Sequence, residues 1–337
     1  MAFGPHGSAI RARRRMLAAA ALALLPTSRA RSAAAAWPQD RPIRIVVPYP
    51  PGGASDFVTR LIAQHLGQRL DRPVIVDNVP GASGNIGAQR VVRAAPDGHT
   101  LLAALVPLTT NPAVTKDMPF DVVRDLAPIT LVTLQPYVLV LHPSVPASTL
   151  PELVALARRE PGRLSYASHS AGGATHLAGE WFKLLAGVDL LHVPYKGGGP
   201  ALVDLLGGQV SMMFDNVSTA LLHGPQGRVK PIATTGRDPT PLLLNGTLPT
   251  VSSFKGFESF DILTWVGYMA PAGTPAPAVE RLSAEINAVA KIPEVSRRLN
   301  ELGFQVAGTT PQAFGERIRT ELDTWARIVR EAGIKTD

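Results

Sequence analysis

Short apolar runs alternate along the chain with longer stretches whose apolar residues recur every three or four positions. The runs "RPIRIVV" (41–47), "RPVIVDNV" (72–79), "HTLLAAL" (99–105), "QPYVLVLHP" (135–143) and "RLSYAS" (163–168) predict strands. So do "VDLLHVPY" (188–195), "QVSMMFDN" (209–216), "VKPIATTG" (229–236) and "ILTWVGYMAP" (262–271). Between them, Phe57, Val58, Leu61, Ile62, Leu66 and Leu70 share one helical face. Further helices are predicted in 81–95 after a glycine loop, 148–160 with Ser148 or Thr149 near its cap, 176–187, 276–291 and 311–333. The last of these carries mixed charges and reads as a solvated outer helix. Residues 237–260, rich in Pro, Gly, Thr and Ser, predict irregular chain.

This alternation predicts an α/β fold. The strand count favours two lobes over one doubly wound sheet: lobe 1 from 37–140 plus 263–337, lobe 2 from 141–262. "PYVLVLHP" and "TWVGYMAP" then carry the chain across and back, an arrangement suited to closure around a ligand.

Two glycine-rich segments sit where a strand runs into a helix: "VPYPPGGASD" (47–56) and "SHSAGGATH" (168–176). A helix start leaves N–H groups unpaired and carries about half a positive charge. Glycine lets a ligand approach that backbone closely. Ser55 or Asp56 in the first loop, and Thr175 in the second, are candidate caps. Neither loop contains Lys or Arg, neither matches a phosphate-binding motif, and Asp56 would repel a dianion unless it turns back onto its own helix. The pattern therefore suits a carboxylate better than a phosphate, and two helix ends facing across a cleft suit a dicarboxylate. A third segment, V-P-Y-K-G-G-G at 193–199, echoes V-P-Y-P-P-G-G at 47–53; a shared steric need and an internal duplication both explain it.

Charge and composition narrow the class. The formal net charge is +7, but Arg11, Arg13, Arg14, Arg15, Arg29 and Arg31 all lie in the first 36 residues, which hold no acid. Removing those six from the 33 basic residues leaves 27 against 26 acidic ones, so the rest of the chain has no nucleic-acid footprint. The basic "RARRR", the apolar "MLAAAALALLP" and the small-residue "RSAAAAWP" predict an export signal over 1–36, cleaved near Trp37, with a periplasmic mature protein. Arg13-Arg14-Arg15-Met16-Leu17 resembles a twin-arginine pattern; general secretory export is the alternative. Cysteine is absent, which excludes disulfides and thiolate chemistry.

Catalytic signals are weak. His169, His176 and His192 have hydroxyl neighbours, but "YASHSAGG" lacks the first glycine of G-x-S-x-G, and no metal motif is present. Asp215, at a strand end, is a better candidate for ligand contact than Asp204. No cofactor, metal site or catalytic residue is expected.

Taken together, "VPYPPGGASD", "NVPGASGNIGAQRV", "PDGHTLL", "PGRLSYASHSAGGATHLAGE", "HVPYKGGGPALVDLLGGQV", "MMFDN" and "APAGTPAPAVERL" resemble the substrate-binding receptors of tripartite tricarboxylate transporters, the Bug-type receptors, over essentially the whole mature chain. The resemblance implies a two-lobed periplasmic binding protein fold with crossover strands, closing on a small carboxylate delivered to membrane transporter subunits. It points to Tyr49, Gly52, Gly53, Ser55 and Asp56, and to Ser168, Gly172, Thr175 and His176, as ligand-binding residues, with Tyr195 and Asp215 in a second tier. A monomer without nucleic-acid partners is expected. Two departures bear on ligand identity: Ser170, preceded by His169, replaces a usual glycine, and Pro249-Thr250-Val251-Ser252-Ser253 lacks the usual acid. His169 and Ser170 therefore join the candidate site, and contact of His169 with ligand would make binding pH-dependent. A ligand sensor for a signalling system, and a hydrolase built on Ser168, His169 and Ser170, are the competing functions.

Overall fold

The computed structural model describes Met1, Trp37, 41–239 and 248–334. The expected export signal, twin-arginine pattern and cleavage region thus lie outside the described residues, apart from Met1 and Trp37. The described residues from 41 to 334 form one compact unit.

Its centre is a ten-stranded sheet. Strands β1 (Ile43–Val47), β2 (Val74–Asn78) and β3 (Thr100–Leu105) make a parallel group with β1 in the middle. Strands β5 (Ser165–Ser168), β6 (Leu191–Pro194) and β7 (Met212–Asn216) make a second parallel group with β5 in the middle. Two antiparallel strands join the groups: β4 (Leu126–Leu141) and β9 (Leu263–Pro271). The first part of β4, through Pro136, pairs with β9; from Tyr137 onward it pairs with β7 and with β8 (Lys230–Thr234). The short β10 (Gln305–Val306) also pairs with β4.

The expected strands all form, within a few residues of their predicted ends. The first half of β4 is the main addition. Pro128 and Pro136 lack the N–H that a ladder uses, and the register with β9 shifts between Pro128 and Thr130, so "LAPITLVTL" gives no clean strand pattern.

Helices cover the sheet: α1 (Ala54–Leu70), α2 (Asn85–Val92), α3 (Pro107–Val114), α4 (Val122–Asp125), α5 (Leu150–Arg159), α6 (Ala174–Ala186), α7 (Gly198–Leu206), α8 (Val217–His223), α9 (Ala276–Ala290), α10 (Pro293–Glu301) and α11 (Pro311–Glu331). In α5, Thr149 is the cap and accepts from the Glu152 N–H, while Glu152 accepts from the Ser148 N–H. This resembles a capping box, with the carboxylate reaching one residue further back than the cap's own N–H. Gly179 lets α6 lie close on β5: a Cβ there would sit 2.1 Å from the Tyr166 ring.

Helix α11 corrects the expectation of a solvated outer helix. Phe314, Ile318, Trp325, Ile328 and Val329 are buried. Glu321 lies half-buried beside them, accepts from the Trp265 indole and the Thr109 hydroxyl, and pairs with Arg317 at 2.8 Å. Burial raises its pKa despite those three partners. Charged residues on the outer face hid this apolar stripe in the sequence.

Candidate functional site

Besides a depression of about 690 Å³ lined by Pro112, Ala113 and residues of 326–334, three depressions of comparable size mark the described surface. One of about 570 Å³ is lined by residues of 112–124 with Leu322. Another of about 700 Å³ lies between α5 and Phe254–Phe257. Neither touches a glycine loop. The third, about 520 Å³, is bounded on one side by Tyr49, Ser83, Thr110, Asn111 and Val114, and on the other by Ser170, Ala171, Gly172, Gly173 and His176. It is the one of the three that lies between the β1–β3 group and the β5–β7 group, and it falls in the usual volume range for small-molecule sites.

The second wall is the start of α6. Gly172 has φ +70°, a conformation natural to glycine. Gly173 is the N-cap residue, and no side chain caps the helix. Thr175, expected as a cap, instead accepts from the His169 N–H at 2.9 Å. His176 turns back, and its Nδ1 accepts from the Gly172 N–H at 2.9 Å. With Nδ1 as acceptor, the neutral ring carries its proton on Nε2 and is a donor there. Burial is the main cause lowering the His176 pKa; Glu180 opposes it and Lys183 adds to it.

Behind His176 stand further rings. His192 stacks on His176 with centroids 3.9 Å apart, and Tyr166 stacks on the far face of His192 at 4.8 Å. Ser168 Oγ donates to the Ser170 carbonyl at 3.1 Å and lies 2.7 Å from His192 Nε2. A hydroxyl has one hydrogen, so Ser168 accepts from His192 Nε2–H. Burial first, then His176 and Lys183, push the His192 pKa down to about 4.

The first loop is built alike and used differently. Gly52 has φ +89°, and Gly53 caps α1 with no side-chain bond, so neither Ser55 nor Asp56 is the cap. Asp56 turns back and accepts from the Gly52 N–H at 3.0 Å, from Arg60 and from Asn78. Burial would raise its pKa, but those hydrogen bonds hold it below the ordinary carboxylate value. Ser55 and Asp56 are buried within the half. Only Tyr49 of this loop reaches the cavity wall, its hydroxyl donating to the Ser83 carbonyl at 3.2 Å.

Of the expected ligand residues, the structure thus brings Tyr49, Ser170, Gly172 and His176 onto the cavity wall. Gly52, Gly53, Ser55, Asp56, Ser168 and Thr175 do not line it; Gly52 and Gly53 are exposed, and the other four are buried. His169 and Asp215 form their own pair at 3.0 Å, with Asp215 also accepting from the Asn216 N–H and the Thr219 hydroxyl. Tyr195 donates to Asp204 at 2.7 Å. Adjacent residues of the Ser168–His169–Ser170 run therefore face different partners and form no catalytic array. Among the described residues no cluster of His, Asp and Glu is arranged to hold a metal ion.

Sequence reasoning missed Ser83, Thr110 and Asn111. Helix α3 carries Pro107 at its start and Pro112 within, so "PLTTNPAV" signals a turn rather than a helix. The counterpart of Gly52-Gly53-Ala54-Ser55-Asp56 is Gly172-Gly173-Ala174-Thr175-His176, with the same cap angles, φ −79° and ψ 169°, at the second glycine.

Comparison with known proteins places these features. The family described as "Tripartite tricarboxylate transporter family receptor" matches residues 58–334. The chain is 38% identical over 319 residues to a UPF0065 protein from the tcbD-tcbE intergenic region of a Pseudomonas species, covering 95% of this chain and 94% of that one. It is 34% identical over 297 residues to protein BugT of Bordetella pertussis, covering 88% and 90%. Among solved structures it is similar to an R. palustris protein with adipate, at 30% identity and TM-score 0.75, covering 89% of this chain and 100% of that one. It is also similar to MatC of Rhodopseudomonas palustris with bound malate, at 30% identity and TM-score 0.70, covering 86% and 99%.

Proposed function

The chain belongs to the tripartite tricarboxylate transporter family of receptors, and from that premise we propose that it is an extracytoplasmic solute receptor for a small organic carboxylate. The ligand sits in the 520 Å³ cavity and is handed to membrane transporter subunits. One observation carries this reading: the uncapped first turn of α6 opens on a cavity whose wall, among the described residues, contains no Lys, Arg, Asp or Glu. A helix end supplies N–H donors and partial positive charge, enough for a carboxylate without a cation. Two relatives of similar fold hold adipate and malate, which supports the same ligand class here.

Closure is proposed between lobe 1 (37–140 plus 263–337) and lobe 2 (141–262), turning about the two joining strands. Export through residues 1–36, a periplasmic location, action as a monomer and the absence of catalysis belong to the same proposal. Among the described residues no helix is long and apolar enough to cross a membrane.

A thermal-shift screen across carboxylates tests it. An acid present at 100 times its Kd stabilises the protein by about 2.7 kcal/mol. A shift with a neutral or cationic compound and none with any carboxylate overturns the reading.

A further inference from the structure

One residue of the cavity wall comes from neither the glycine loops nor α3. Ile334, just past the end of α11, lines the cavity together with Val114 and Gly172. Its place is fixed by the way the helix stops. Gly333 has φ +63°, the left-handed conformation that often ends a helix. The Ile334 N–H donates to the Val329 carbonyl at 3.0 Å, and the Gly333 N–H donates to the Arg330 carbonyl at 3.3 Å. That pair of bonds is the Schellman motif, whose residue after the glycine commonly packs an apolar side chain back on the last turn. Ile334 does so: it packs against the core and stays half-buried. Helix α11 is in turn tied to the α3 wall, packing along α3 and donating from the Trp325 indole to the Thr109 hydroxyl at 3.3 Å.

Ile334 borders a second space as well. It lines the neighbouring depression of about 690 Å³ with Pro112, Ala113, Val329 and Arg330. It is the one residue common to the two linings. Helix α3 divides its residues between the same two spaces: 110, 111 and 114 line the cavity, while 112 and 113 line the depression. The partition between them is therefore α3 plus one side chain from beyond α11. That side chain is branched at Cβ and so stiff about χ1, and its backbone is held by the helix stop. It is a fixed barrier rather than a swinging one.

We propose that Ile334 sets the length limit of the ligand. An acid held by its carboxylate at the first turn of α6 runs its chain toward Ile334 and ends there. Longer acids are excluded because this side chain closes the way into the neighbouring depression. The inference rests on the carboxylate reading above and adds to it a residue that selects among acids by length, whatever group stands at their far end.

Calorimetric titration with succinate, adipate and sebacate, straight-chain acids of rising length, tests this in wild type, Ile334→Ala and Ile334→Phe. Wild type is expected to bind the better of the two shorter acids roughly 10-fold or more tighter than sebacate, the cost of a chain group that finds no room. Ile334→Ala should shrink that ratio to within about 2-fold by gaining affinity for sebacate. Ile334→Phe should move the limit the other way and weaken adipate more than succinate. Each readout is a ratio between ligands in one protein, so a smaller folded fraction cancels from it. An unchanged ratio in Ile334→Ala overturns the inference. So does an equal loss for all three acids in both variants, which is the mark of a purely structural residue, and so does wild type that binds sebacate as tightly as the shorter acids. All three results leave the carboxylate reading standing. Binding of none of the three by wild type also overturns the inference, and the thermal-shift screen across carboxylates then decides the reading it rests on.

Discussion

The loops at 52–56 and 172–176 share a backbone and differ in two side chains, Ser55 against Thr175 and Asp56 against His176, of which the second sets them apart. Each has a positive-φ glycine, a second glycine as cap, and a residue four positions on that accepts from the first glycine's N–H. In the first loop that residue is Asp56, a full negative charge placed at its own helix start and shared with Arg60 and Asn78. The demand for an anion is met internally. In the second loop it is His176, held neutral by burial, so the helix start keeps its positive end for something else. The difference explains why one loop is scaffold and the other faces the cavity, although both look alike as glycine-rich turns.

Removing the two acceptors gives the largest contrast. Asp56→Ala leaves Arg60, Asn78 and the Gly52 N–H without their shared partner and should destabilise by about 3 kcal/mol, since hydrogen bonds to charged groups contribute roughly 1.5–3 each and are not additive. His176→Ala should lose about 1 kcal/mol, one neutral hydrogen bond, yet weaken ligand binding more than Asp56→Ala does. Chemical denaturation and titration of both variants check the pair; equal binding losses would erase the distinction.

The first glycines should separate next. Gly52→Ala and Gly172→Ala each force a left-handed alanine, at about 1–2 kcal/mol. A Cβ at Gly52 meets nothing within 4 Å, whereas one at Gly172 lies 3.1 Å from Val114 on the facing wall. Gly172→Ala alone should therefore also hinder binding.

Acid titration separates the loops without mutation. The native pKa of Asp56 is depressed, so its contribution is present above the ordinary carboxylate value near 3.9 and is lost only as pH falls below it. The native pKa of His192 is also depressed, to about 4, from an ordinary value near 6.5. A depressed histidine favours the neutral folded form, so its contribution is present above about pH 6.5 and fades between there and pH 4. Unfolding free energies at pH 7, 5.5 and 4.5 should fall less steeply in His192→Gln than in wild type; identical slopes would remove the stack as the cause. The smallest effect is expected from Ser170→Gly, which restores the usual glycine: stability should change by about 0.5–1 kcal/mol, the entropy of a glycine, with the cavity otherwise intact.

Much of this was legible before the coordinates. Alternating runs gave the strands and most helices, because half-buried strands and one-sided helices carry strong periods. The strand pairing across β4 and β9 was only half visible, since Pro128 and Pro136 break the pattern where the sheet bulges. Tyr49, Ser170, Gly172 and His176 were found by loop chemistry. Thr110 and Asn111 were not, because a proline-flanked octapeptide reads as a turn and only tertiary packing makes it a helix.

Strand β4 leaves a further consequence. One continuous set of sixteen residues pairs with β7 of the second parallel group and with β9, which in turn pairs with β3 of the first, changing partners between Pro136 and Tyr137. The molecule is therefore not divisible at that point. A fragment ending before β4 would expose the edge of β3, and one starting after it the edges of β7, β8 and β9, the kind of surface that recruits other chains. Tags, split points and permuted termini belong elsewhere, and any motion of one parallel group against the other must be absorbed as twist within this single beam.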